Sequence, residues 1–295
     1  MIMTIMDLNR IKSICFIVAL LFFPSAFAES KNTDSHPFIV SGVIKNSGNA
    51  ELIKQFTRFI ANESGYPLHV VYVNTYSQLS RRLHNDPYAI GWTSGTPYVQ
   101  DYQSYGQQLI AVPLYHDKPT YHSVILTRHD QTEKTLADFK GKVLAYSDPR
   151  SNSGFLSPKF ALHQQGINIK QHFRLLINAG NHEGSIESLL SGIADVAAID
   201  EYVWEAYYKA DPNALTLLRE VERMGPYPFT PIVAGNKVSN TNIEKILLAL
   251  NTMHNSEEGE KILLEFSLDG FVGKQPMFFQ PIKDMLNAVD LDSGI

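Results

Sequence analysis

The chain has 295 residues, 44% of them hydrophobic and 19% charged, which suits one sizeable core or two smaller ones and excludes a disordered or fibrous chain. The formal net charge is -5 and the basic residues are scattered, so there is no electrostatic footprint for nucleic acid. The single cysteine, Cys15, excludes a disulfide framework and a thiolate metal site.

At the N-terminus, Arg10 and Lys12 precede an apolar run over 14–23 and then the small-residue site Ala26-Phe27-Ala28. This pattern predicts a secretory signal peptide over 1–28, cleaved ahead of Glu29. The run falls short of the roughly 20 apolar residues that span a bilayer; an uncleaved anchor is the competing reading. Cys15 follows Lys12-Ser13-Ile14, which is not the setting of a lipoprotein cysteine.

Residues 38–44 form a mostly apolar run, as expected of a buried parallel strand. A helix is predicted over 51–61, with Leu52, Ile53, Phe56, Phe59 and Ile60 on one face and Gly65-Tyr66-Pro67 as its stop. A strand over 68–73, a helix over 76–83 and a strand over 88–92 continue the alternation, and Pro97 marks the first position of a further helix. A second block opens near Lys134: a short helix at 136–139, a strand at 143–146, a loop at 148–154 and a helix over 155–165. A strand at 174–177, a helix at 185–191, a strand at 196–199 and a helix at 202–210 complete it. Extended segments at 121–127 and 232–234 flank this block, so the chain is expected to cross into it and back out; helices over 243–254 and 257–266 then return to the first block. This order predicts an α/β protein of two lobes, each a mainly parallel sheet flanked by helices, joined by a two-crossing hinge. The expected lobes are 36–126 with 227–295, and 127–226.

In open α/β sheets, ligands bind outside the carboxyl ends of the strands, where loops lead into helix N-termini. Ser151, Asn152 and Ser153 occupy such a loop, and hydroxyls beside unpaired N–H groups suit an anion. The plainer reading of either serine is a helix N-cap. Thr93 and Ser94 lie in the matching loop of the first block, with Tyr98 just beyond. Asp200 ends a strand and would favour an oxyanion that carries a proton or an amine, unless it merely caps the helix at 202. His182 is a candidate donor and Glu183 a candidate for an amine.

The segment Gly141-Lys142-Val143-Leu144-Ala145-Tyr146-Ser147-Asp148-Pro149-Arg150-Ser151-Asn152-Ser153-Gly154 resembles the strand and D-P-x-S-T-S-G loop of the phosphonate, phosphite and phosphate binding proteins of ABC importers. These are the PhnD-like group of the type 2 periplasmic binding fold. Similarity extends over 89–99, 118–121, 192–205, Pro226, Pro228, Pro231 and Asp269-Gly270-Phe271. The resemblance implies a periplasmic protein that closes on a small oxyanion and delivers it to a permease, as a monomer without catalysis or cofactor. It assigns Ser151 and Ser153 as oxyanion donors, His182 as a donor, Asp200 as acceptor and Tyr98 as a first-lobe contact. Asn152 departs from the family's threonine, and the loop Lys45-Asn46-Ser47-Gly48 is not the family's; Lys45 is read as a solvated surface residue, with a charge contact as the alternative.

Three other readings stand beside this one. Ser185, His182 and Asp200 supply the residue types of a hydrolase triad, without a G-x-S-x-G elbow. The ten histidines form no H-E-x-x-H pair that would mark a metal site. A ligand sensor docking on a membrane receptor or histidine kinase uses the same clamp as an importer component.

Overall fold

Phe38, Ile39 and Val40 are buried on both faces of the first strand, which places it inside a sheet rather than at an edge. The computed structural model describes residues 35–41 and 50–291; the expected signal peptide and the loop bearing Lys45 lie outside the described residues. The first run comprises β1 (His36–Ser41), α1 (Ala50–Ser64), β2 (Leu68–Val73), α2 (Tyr76–Asn85), β3 (Ile90–Trp92), α3 (Gly95–Tyr105) and β4 (Gln108–Leu114). All five residues expected on the inner face of α1 are buried, and the helix ends at Gly65, whose φ of 67° suits a residue without a Cβ.

The chain then enters a second sheet through β5 (Thr120–Arg128) and β6 (Val143–Tyr146). A wide π turn over Asn152–Leu156 leads into α4 (Ser157–His163), followed by α5 (Ile169–His172), β7 (Leu175–Asn178), α6 (His182–Leu190), β8 (Val196–Asp200), α7 (Glu201–Ala210), α8 (Ala214–Leu217) and β9 (Leu218–Pro228). It returns through β10 (Ile232–Ala234), α9 (Asn240–Asn251), α10 (Glu257–Phe266), β11 (Gly270–Val272) and α11 (Gln280–Leu291).

Two sheets result, one ordered β11-β4-β10-β3-β1-β2 and the other β7-β6-β8-β5-β9. In the first, β1 runs parallel to β2 and β3, while β10 and β11 are antiparallel to their neighbours. In the second, β6 runs parallel to β7 and β8, and β5 is antiparallel to β8 and β9. The links β4 to β5 and β9 to β10 are the two crossings. All of β5 pairs within the second sheet, so the lobe boundary expected between residues 126 and 127 falls inside a strand and belongs ahead of Thr120.

Side-chain alternation builds the second lobe. Val124, Leu126, Val143, Ala145, Ala197 and Ile199 enter one core cluster, whereas Ile125, Leu144, Val196 and Ala198 enter another on the opposite face. In the first lobe α1 packs against α9 and α10, so those two helices do return to it. β9 carries Arg219, Glu220, Glu222, Arg223 and two prolines, a composition without a strand signal; it forms because an edge strand tolerates charge and proline. Among the described residues, no helix is long and apolar enough to cross a membrane.

Candidate functional site

Beyond β6 the chain turns through Ser147 and Asp148 to Ser151, which caps the wide turn: its Oγ accepts from the Gly154 N–H at 3.0 Å. The Leu156 N–H reaches the Ser151 carbonyl at 3.0 Å, the five-residue step that widens the turn. A serine oxygen that accepts one N–H still has its own proton to donate, so capping leaves Ser151 a free donor. Ser123 Oγ on β5 donates to the Ser153 carbonyl at 2.7 Å and pins the turn to the sheet. Gly154 is required here, because a Cβ would stand 2.2 Å from Ser147 Oγ and 3.2 Å from His182 Cε1.

His182 opens α6, and Asp200 ends β8 beside it. The Asp200 N–H donates to His182 Nδ1 at 3.2 Å, which leaves the ring proton on Nε2, 3.4 Å from Ser147 Oγ. Burial pushes the His182 pKa down to about 3, so the ring is a neutral donor. Burial, reinforced by neighbouring Glu201, pushes Asp200 up to about 8, against the opposing N–H of Tyr202. Asp200 Oδ1 accepts that N–H at 2.9 Å and thereby caps α7, while the neighbouring Ser153 side chain holds the pKa of both Asp200 and Tyr121 down. At neutral pH the second lobe therefore presents a neutral imidazole, a carboxyl that holds its proton, and serine hydroxyls.

The first lobe meets this cluster directly. Ser94 stands at the N-cap of α3 but does not cap it; its Oγ accepts from the Asn152 N–H at 3.3 Å instead. Asn152 Nδ2 donates to the Tyr121 hydroxyl at 3.0 Å, and the Tyr76 N–H donates to Asp148 Oδ2 at 3.3 Å. Seven of the eight expected site residues, Thr93, Ser94, Ser151, Asn152, Ser153, His182 and Asp200, lie buried where the carboxyl ends of strands in the two lobes face each other. Ser41, Thr93 and Thr96 carry buried hydroxyls without a partner, as does Asn152 at Oδ1. The parallel register that sets Val40 opposite Trp92 brings Ser41 beside Thr93, and Thr96 lies one helical turn from Gln100, which contacts the second lobe. Buried hydroxyls are costly when unpaired, and Thr93 is next in the chain to Ser94, which meets the turn at Asn152.

Tyr98 departs from expectation. Its ring packs against Phe279 at 4.7 Å and Tyr102 at 5.9 Å, because the same face of α3 is covered by α11: a Cβ on Gly95 would meet Ile282 Cδ1 at 2.3 Å. Glu183, in the first turn of α6, lies within electrostatic reach of Glu187 and Tyr207. Pro97 is the third residue of α3 rather than the first. Tyr66 donates to the Tyr88 carbonyl and Tyr72 to the Ala50 carbonyl, both within the first lobe. The residues that sequence reasoning missed are Ser147, Tyr121 and Tyr76; the last lies within electrostatic reach of Asp148, Tyr121 and Asp200.

The hydrolase geometry does not form. Ser185 Oγ donates to the Asn181 carbonyl of its own helix, and His182 Nδ1 faces the backbone of Asp200 rather than its carboxylate. Among the described residues, no cluster of three or more histidine, cysteine, aspartate or glutamate side chains has metal-binding geometry. Cavities of about 590 and 550 Å³ lie in the first lobe, one beside Arg81 and Arg82 and one beside Leu109 and Lys274, and none of the eight residues lines either.

Residues 45–276 match the family model for the ABC transporter, phosphonate, periplasmic substrate-binding protein. The phosphonates-binding periplasmic protein of Escherichia coli (strain K12) is 22% identical over 283 residues, covering 91% of this chain and 83% of that one. A probable ABC transporter phosphite binding protein of Prochlorococcus marinus (strain MIT 9301) is 33% identical over 82 residues, 27% of each chain. The solved structure of a binding protein component of an ABC phosphonate transporter from Pseudomonas aeruginosa superposes with a TM-score of 0.78 at 18% identity, covering 87% of both chains. The Prochlorococcus marinus (MIT 9301) protein in complex with methylphosphonate gives the same TM-score and identity, covering 87% of this chain and 98% of that one. The fold is that of the two-lobed type 2 periplasmic binding proteins.

Proposed function

Because the chain belongs to the family of periplasmic substrate-binding proteins of phosphonate ABC transporters, we propose that it captures a small phosphorus oxyanion, a phosphonate, phosphite or phosphate, between its lobes for delivery to an importer permease. It is exported behind a cleavable signal peptide and acts by binding alone. The observation that carries this reading is the capped, glycine-tightened turn Ser151-Asn152-Ser153, set against Ser94 and beside the buried carboxyl of Asp200.

Ser151 and Ser153 donate to the oxyanion, His182 Nε2 adds a neutral donor, and the hydroxyls of Ser41, Thr93 and Thr96 complete the shell from the first lobe. No formal cation is needed, because dipoles in a dry site stabilise an anion strongly. Asp200 supports the choice of phosphorus: one proton held between its carboxyl and a phosphorus oxyanion satisfies both, whereas sulfate brings no proton to share. A thermal-shift titration of the mature protein with phosphate, phosphite, methylphosphonate, 2-aminoethylphosphonate and sulfate tests this, since a ligand of the folded state raises the midpoint. A rise with at least one phosphorus oxyanion and none with sulfate is expected. A rise with sulfate alone, or with none of the five, overturns the reading.

A further inference from the structure

Arg150 lies between the loop's proline and its first anion-binding serine, yet its side chain leaves the second lobe altogether. All three guanidinium nitrogens end on the first lobe: Nε donates to Gln100 Oε1 at 3.0 Å, Nη1 to Ser80 Oγ at 2.6 Å and Nη2 to Asp101 Oδ1 at 2.8 Å. The receiving end is built in advance. Asp101 is buried with a side chain only 4% exposed, and Ser80 Oγ and Gln107 Nε2 both donate to its other oxygen. The arginine is itself three-quarters covered, its side chain 21% exposed.

The backbone of the same residue faces the other way. The Arg150 N–H donates to Asp148 Oδ1 at 2.7 Å, and the other oxygen of Asp148 takes the Tyr76 N–H from the first lobe. Ser151, the next residue, caps the anion turn. A pull on the guanidinium is therefore transmitted to the turn through a single peptide.

We propose that Arg150 and Asp101 form the latch of the clamp, a cross-lobe ion pair that holds the anion turn against the first lobe and sets how long the bound oxyanion stays. Arg150 is a positioning residue: its nitrogens are spent on Gln100, Ser80 and Asp101. This inference rests on the clamp reading above and goes beyond it by naming what keeps the clamp shut. A planar fork with three aligned donors is something lysine cannot reproduce. A buried charge-assisted contact of this kind acts on dissociation more than on association.

The test compares the mature wild type with Arg150→Met, Arg150→Lys, Asp101→Asn and the Arg150→Met/Asp101→Asn double variant, using methylphosphonate and phosphite as probes in stopped-flow binding. Loss of the ion pair in Arg150→Met is expected to raise the off-rate about ten- to a hundredfold while the on-rate changes less than about threefold. Arg150→Lys should fall between, and the double variant should be no worse than Arg150→Met alone. A variant that loses thermal stability yet keeps the wild-type off-rate overturns the latch, and Asp101→Asn carries the test if Arg150→Met fails to fold. In parallel, spin labels on cysteines introduced at the exposed positions Glu63 and Glu187 report the separation of the lobes without ligand. The latch predicts a shift to longer distances in Arg150→Met, and an unchanged distribution overturns it. That second readout separates the two ideas: a wild type that binds neither probe counts against the ligand assignment, while the distances still decide the latch.

Discussion

The two walls of the cleft are built in opposite ways. On the second lobe, nearly every polar group of the anion turn has a partner: Ser151 with Gly154, the Ser153 carbonyl with Ser123, His182 with Asp200, and Asp200 with Tyr202. On the first lobe, Ser41, Thr93 and Thr96 bury hydroxyls that bond to nothing, and Ser94 leaves its own helix uncapped to meet Asn152. One wall is already organised and the other holds donors in reserve. On the proposed function, the organised second-lobe wall would lose little entropy on binding, while the unpaired first-lobe hydroxyls would gain partners from an enclosed oxyanion.

The organised wall is the easier to break. In Gly154→Ala the new methyl is driven into Ser147 Oγ and against His182, so the turn must shift; we expect loss of oxyanion affinity by more than about a hundredfold and a stability cost of about 1–3 kcal/mol. Calorimetric titration together with urea denaturation measures both, and wild-type affinity in this variant would show that the packing of the turn is irrelevant to binding.

Asp200 gives the next effect, and it is read by pH. Its folded pKa lies near 8 against an ordinary value of 3.8, so between these the folded chain holds a proton that the unfolded chain has lost. Stability from this group therefore falls as pH rises from about 4 to about 8 and levels off above. Above pH 8 the bare carboxylate also faces the oxyanion, so affinity should drop there in the wild type. In Asp200→Asn both slopes should flatten, with a greater loss for phosphorus oxyanions than for sulfate. Unchanged slopes in denaturation midpoints and titrations from pH 5 to 9 would remove Asp200 from the site.

Ser151→Ala removes a cap and a donor together. A stability loss of about 1 kcal/mol and an affinity loss of about tenfold are expected. If thermal melts show the first and calorimetry does not show the second, Ser151 is a cap and nothing more.

The smallest effect tests the wall held in reserve, and its two parts have opposite signs. Thr93→Val replaces an unpaired buried hydroxyl with a methyl, so the ligand-free protein should gain up to about 1 kcal/mol while oxyanion affinity falls about threefold. A loss in both quantities would mean that Thr93 serves the fold and not the ligand.

The anion turn was legible in the sequence because strand, polar loop and helix start follow one another within a dozen residues, each with its own local signal. Ser151, Asn152 and Ser153 stand in that stretch, and His182 and Asp200 stand at the ends of later elements that carry their own local signals. Tyr121 and Tyr76 were not legible, since Tyr121 meets Asn152 from 31 positions away and Tyr76 reads locally as nothing more than a helix start. Tyr98 was misplaced for a related reason. The face of α3 that looks inward is decided by α11, some 180 residues further along, which packs so close that a Cβ on Gly95 would collide with Ile282. The latch was equally hidden, because Arg150 in a polar loop looks like any solvated arginine until Ser80, Gln100 and Asp101 are brought to it.

By itself the sequence determined the α/β alternation and the two crossings, which follow from short-range punctuation and periodicity, while the family followed from the resemblance carried by residues 141–154. Only the tertiary structure decided which sheet takes β5, that β9 forms an edge strand despite its charges and prolines, where the ring of Tyr98 packs, and that burial pushes the Asp200 pKa up. The reason is the same in each case: these depend on burial and on partners supplied by distant segments, and desolvation is a property of the folded surroundings that no local run of residues records.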